Sequence, residues 1–151
     1  MFELILVRLM TIASRDTRPS DNVKQVCAIG LAALNDLSII DREPNTEAFF
    51  DGRTFSGRRV LFEVCPELQP LITKRYKLAG EADQRIANSK LGPIRTIFTL
   101  GVPQINPDLT HATVTMGYRC GSMCGAGYEV VYVRQNDVWT RKGPPRLIVL
   151  T

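Results

Sequence analysis

Polar and apolar side chains alternate without a break over residues 111–120. Ala112, Val114, Met116, Tyr118 and Cys120 fall on one face, and His111, Thr113, Thr115, Gly117 and Arg119 on the other. A period of two held this long predicts a half-buried strand. Residues 128–134 predict a second strand, Gln135-Asn136-Asp137 a turn, and residues 138–141 a third strand. Lys142-Gly143-Pro144-Pro145 interrupts the sheet before residues 147–150, a short edge strand. The stretch from Cys120 to Gly127 carries three glycines, which permit the close backbone approach of a compact reversal. The C-terminal third therefore reads as an antiparallel β-meander.

The first half has a different period. After a polar, turn-rich loop at residues 14–22, Val23, Val26, Cys27, Gly30, Leu31, Leu34 and Leu37 recur at helical spacing and define a stripe that packs on a core. Ser20 or Asp21 would cap this helix, and Gly30 on the stripe allows a close crossing. Residues 41–57 predict a short helix and turn, anchored by Phe49 and Phe50. Residues 59–64 read as a strand that Pro66 stops. Residues 67–91 read as one or two helices burying Leu68, Leu71, Ile72 and Leu78, with breaks at Gly80 and Gly92-Pro93. Residues 94–100 read as another strand. Residues 1–13 hold an apolar run, but Glu3 and Arg8 depart from an export signal, so the run is either a non-classical signal or a first structural element. It is far short of the roughly 20 residues that span a bilayer. The expectation is one α+β domain over residues 1–151, with an N-terminal helix or helices packed on a curved antiparallel sheet ending in the meander.

Composition changes this picture little. With 44% hydrophobic and 23% charged residues the chain is folded rather than disordered. Its formal charge of +4 arises in residues 76–151, where nine basic side chains meet five acidic ones. They are scattered, whereas nucleic-acid binders gather Lys and Arg on one stripe. A protein or small-ligand partner is favoured over nucleic acid, no membrane span is expected, and a homodimer stays open.

Candidate chemistry is sparse. Cys120 and Cys124, across the bend, can reach disulfide distance. They read as a structural disulfide or as buried thiols. A redox pair is disfavoured by the spacing, and a zinc site would need Cys27 and Cys65, or His111, to complete it. Cys27, on the helix stripe, reads as a small hydrophobe. His111 is the only histidine and falls on the polar strand face, where solvent exposure is expected. Glu43, Glu47 and Asp51 are spaced by four and read as a solvated acidic face. Arg119, Arg134 and Arg141, with Tyr128 or Tyr132, are candidates for contact with an anion or a nucleic-acid single strand. Trp139 reads as a packing residue. A phosphate-cradling glycine loop, a dinucleotide fingerprint and a nucleophile elbow are all missing from the sequence. No cofactor or metal is implied.

The alternating strand, the pattern Cys-Gly-x-x-Cys-Gly-x-Gly (Cys120, Gly121, Cys124, Gly125, Gly127), the Asn136-Asp137 turn and Trp139 together resemble a group of uncharacterised small bacterial proteins, many exported or lipid-anchored. The resemblance covers residues 98–150 and implies no activity. This chain departs from that group in lacking a clear export signal or an acylatable cysteine near its start. More loosely, helix first and meander last is similar to the cone-shaped nuclear-transport-factor and ketosteroid-isomerase superfamily. The leading expectation is a non-enzymatic bacterial binding or interaction module. The alternatives are a cone-fold enzyme or small-ligand binder with a cavity between sheet and helix and, more weakly, a nucleic-acid-associated protein. A Cys120–Cys124 disulfide would place the chain outside the cytoplasm, and free thiols inside it.

Overall fold

The computed structural model describes residues 19–40, 48–52, 60–89 and 95–150. Expectations for residues 1–13, Glu43, Glu47 and Gly92-Pro93 lie outside the described residues. In chain order the elements are α1 (Pro19–Asn35), a 3-10 turn (Leu37–Ile39), β1 (Ala48–Asp51), α2 (Leu61–Val64), a second 3-10 turn (Pro66–Leu68), α3 (Gln69–Thr73) and β2 (Lys77–Leu78). There follow α4 (Glu81–Asn88), β3 (Thr96–Leu100), β4 (Gln104–Ile105), β5 (His111–Gly121), β6 (Cys124–Gln135), β7 (Val138–Arg141) and β8 (Arg146–Leu150). The fold is α+β, with a curled half-barrel sheet in the order β2-β1-β3-β5-β6-β7. Strand β4 adds to β5, and β8 adds to β6.

The β5–β6–β7 meander forms as the alternation requires. Ala112 pairs with Tyr132, Val114 with Val130 and Met116 with Tyr128, so one face of the ladder is apolar throughout. Ala112, Val114, Met116, Val130 and Tyr132 are all buried. The β6–β7 turn places Asn136 at φ 49° and Asp137 at φ 62°, the doubly left-handed geometry that a two-residue hairpin needs and that Asn and Asp tolerate. The reversal before β6 is tighter than the glycine cluster implies. Gly121, at φ 155°, pairs with Cys124, so only Ser122 and Met123 form the loop. Gly125 and Gly127 belong to the strand itself.

The sheet is mixed rather than wholly antiparallel, since β1 runs parallel to both β2 and β3. Phe49 and Phe50, expected in a short helix, form the centre of β1 and are fully buried on opposite faces of the sheet. Residues 61–64, expected as a strand, form the helical turn α2 instead. A short apolar run fits a strand or a buried helix equally well on period alone. Pairing of Cys65 with Cys27 draws the chain back onto α1 here. Residues 67–91 contain β2 between two helices, and the break expected at Gly80 is the N-cap of α4.

Helix α1 starts at Pro19, so Ser20 and Asp21 lie inside its first turn rather than before it. Its buried stripe also differs from the one expected. Ile29 and Ala33 are fully covered, whereas Val23 and Leu31 are 44% and 40% exposed. The helix is apolar over a wide arc, and tertiary contacts select which part of it faces inward. A Cβ at Gly30 would stand 3.0 Å from Leu68 and 3.2 Å from Leu61, which confirms the close crossing. Leu71 is likewise largely exposed while Ile72 is buried.

The core lies between α1 to α3 and the concave sheet face. It includes Ile29, Leu37, Phe50, Leu61, Phe98, Leu100, Met116, Val130 and Tyr132. On the opposite face α4 makes a smaller cluster from Phe49, Ile97 and Ala87. Lys77 and Arg95 sit over the Phe49 ring at 5.3 and 5.2 Å, a favourable cation–π arrangement.

Candidate functional site

Among the described residues, the outer sheet face beside β8 leaves apolar surface uncovered. Along β5 that face carries Thr115, Gly117 and Arg119; along β6 it carries Glu129, Gly127 and Gly125, each opposite its β5 counterpart. Gly117 and Gly127 face each other, so no side chain rises from the sheet at that level. Strand β8 then packs against β6 with Val149 beside Gly127, and a Cβ on Gly127 would come within 2.6 Å of Val149 Cγ1. The result is a groove of about 280 Å³ whose lining includes Thr115, Arg119, Gly127, Ile148 and Val149. All five residues of β8 are exposed: Leu147 52%, Ile148 48%, Val149 50% and Leu150 72%, together with Arg146. Arg146 donates to Glu129 over 2.6 Å, so the one charge on this strand is neutralised by its neighbour on β6.

A second hollow, of about 180 Å³, lies between α1 and α3. Leu31, Leu34, Ile72 and Tyr76 line it, with Lys74 and Arg75 at its rim.

The expected site residues do not converge. The Cys120 and Cys124 sulfurs are at bonding distance, with Cα atoms 5.1 Å apart at the hairpin tip. Cys27 is not a lone hydrophobe. Its sulfur is bonded to that of Cys65, the Cα atoms lying 5.5 Å apart, and ties α1 to the loop after α2. Glu67 approaches the Cys27 and Cys65 sulfurs, but sulfurs bonded to each other offer no thiolate to a metal. The tetrahedral set of four cysteines, or three with His111, is not assembled: the two pairs sit in different parts of the fold.

His111 is exposed, as expected, and belongs to a turn network. Its Nδ1 lies 2.8 Å from the Thr110 hydroxyl, and its backbone amide donates to Asn106 over 2.8 Å. Asp108 accepts from the Thr110 hydroxyl and amide, which hold its carboxyl below the usual carboxylate range. Arg119 lies opposite Gly125 near the hairpin tip, on the outer face. Arg134 and Arg141 are at the far end of β6 and β7, opposite Trp139 and Tyr132 respectively, on the other face. The three arginines therefore share one sheet but no common surface. Tyr132 is fully buried and donates to Asp36 over 3.0 Å; Arg141 Nε stands 3.9 Å from the same carboxylate. Burial and the adjacent Asp36 push the Tyr132 phenol well above its ordinary value. Trp139 is buried and donates its indole N–H to Gln25 over 2.8 Å. These contacts hold α1 on the sheet. Asp51, expected on a solvated acidic face, is 7% exposed at the end of β1.

Ile148 and Val149 were legible as an edge strand but not as groove lining. Their signal is an apolar run in which no polar residue alternates. No family model, curated protein or solved structure matches the chain.

Proposed function

We propose that this domain is a non-enzymatic binding module and that its outer-face groove with the adjoining β8 edge is the binding surface. The observation that carries this reading is the juxtaposition of a glycine-floored apolar groove with a strand whose four apolar side chains are all about half exposed or more. Exposed contiguous apolar surface with a polar margin, here Thr115 and Arg119, favours a protein partner or an apolar small ligand. The space between sheet and α1, where a cone-fold enzyme would hold its substrate, contains the packed side chains of Leu37, Met116, Val130 and Tyr132. That packing favours the groove over a central pocket.

Two cysteine pairs at disulfide distance favour work in an oxidising, extracytoplasmic compartment. No helix among the described residues is long and apolar enough to cross a membrane. Intact mass after alkylation, with and without reductant, checks the compartment: four blocked thiols appearing only after reduction is the expected result.

The groove is tested with anilinonaphthalene sulfonate, an apolar anion. Saturable fluorescence enhancement is expected, with amide shifts at Thr115, Gly127, Ile148 and Val149. Thr115→Trp, which fills the groove from an exposed position, weakens binding about tenfold. Absence of saturable binding, or binding that Thr115→Trp leaves untouched, sinks the proposal.

A further inference from the structure

We infer that the hollow between α1 and α3 is a second binding site, which takes a single short aliphatic chain ending in an anionic head group. It is separate from the outer-face groove, and no residue lines both. Leu34 and Ile72, 7% and 2% exposed, give it an apolar floor. Leu31 and Leu71 line its open side and keep 40% and 41% of their surface in water. Leu31 and Leu34 are three residues apart and share one face of α1, while Leu71 and Ile72 come from α3. Two elements thus supply one apolar surface that runs from the core to solvent. Tyr76 adds a wall, its ring set against Phe98 with centroids 5.6 Å apart.

Charge selects the occupant. Among the described residues the lining carries two cations, Lys74 and Arg75, and no acid. Both are exposed, and no carboxylate among the described residues pairs with either. Asp36, which follows the lining residue Asn35, is engaged by Tyr132 and Arg141 instead. An ammonium and a guanidinium beside an apolar recess complement an anion that carries an apolar tail, because they bind the head by charge-assisted hydrogen bonds while the tail leaves water. Size limits the tail. The hollow, at about 180 Å³, is smaller than the roughly 300–1,000 Å³ of pockets that enclose drug-sized ligands. One chain enters it, and a folded partner does not.

The test is amide NMR of the full chain titrated with straight-chain carboxylates from butanoate to decanoate. Saturable shifts are expected at Leu31, Asn35, Leu71, Lys74 and Arg75. Affinity should rise about fourfold per added methylene and level off once the hollow is full. Octanol, which keeps the tail without the charge, should bind at least tenfold more weakly than octanoate. Octyl phosphate is titrated beside octanoate, and the tighter of the two identifies the head group. Lys74→Gln with Arg75→Gln, both at exposed positions, should abolish the preference for octanoate over octanol. Leu31→Trp, also at an exposed position, should fill the hollow and weaken octanoate at least tenfold. The inference is overturned by shifts that do not saturate, by equal binding of octanoate and octanol, or by undiminished octanoate binding in the double variant. Octanoate shifts confined to Thr115, Gly127 and Val149 overturn it as well and support the groove. Binding at the hollow with no probe binding at the groove supports this site and removes the other.

Discussion

Tyr132 and Asp36, 96 residues apart in the chain, are joined by a 3.0 Å hydrogen bond from the phenol to the carboxylate. The bond links β6 to the residue that follows α1, and Arg141 approaches the same carboxylate from β7. Tyr132→Phe keeps the ring and its burial but removes the donor. A hydrogen bond to a charged group is worth about 1.5–3 kcal/mol, so the variant should lose about 2 kcal/mol in urea denaturation. The phenol's titration gives a second signature. Its folded value is raised, so the contribution is complete below the unfolded value near 10.0 and is lost as pH rises above it. Stability of the unaltered chain should fall above that pH by more than stability of Tyr132→Phe does. Equal slopes would show that the phenol is not held as described.

Asp83 in α4 accepts from the Gly80 amide over 3.0 Å and pairs with Arg95 at 2.5 Å. The Gly80 hydrogen bond, with Lys77 and Arg95 nearby, holds its carboxyl below the ordinary value of 3.8. A depressed carboxylate contributes stability that is present above its unfolded value and is lost as pH falls through the folded one. Acidification below the ordinary value should therefore loosen α4. Amide exchange at residues 81–88 should accelerate there, and Asp83→Asn should exchange fast already at neutral pH.

The two cysteine pairs should differ in what they contribute. Cys27 and Cys65 are separated by 38 residues and Cys120 and Cys124 by 4. Constraint of the unfolded chain grows with loop length. The expected losses are about 4 kcal/mol for Cys27→Ser with Cys65→Ser and about 2 kcal/mol for the hairpin pair. Urea midpoints of the two double variants should rank in that order.

Gly127→Ala tests the close approach of β8 to β6. The added Cβ meets Val149 Cγ1 at 2.6 Å, so β8 must shift. Exchange at residues 146–150 should quicken while β5 to β7 keep their protection, since those strands pair without β8. A variant whose β8 exchanges as slowly as before would place Val149 elsewhere.

Several elements were legible because their determinants are local. The alternation over residues 111–120, the Asn136-Asp137 turn and the break at Pro144-Pro145 each act over a few residues, and the meander followed. Phe49 and Phe50 were misread because a parallel strand buried on both faces carries no alternation to detect. Residues 61–64 were misread because four apolar-rich residues fit either period. The pairing of Cys27 with Cys65 was not readable at all, since four cysteines permit three connectivities.

The sequence by itself determined the meander, the class of fold and the apolar character of the edge strand at residues 147–150, since side-chain period, turn chemistry and composition are properties of neighbouring residues. Only the tertiary structure decided which arc of α1 faces inward, that β1 runs parallel to its neighbours, and that the glycines of β5 and β6 meet beside β8 to leave a groove. Those depend on register between segments far apart in the chain, and register is set by packing, which no local pattern encodes.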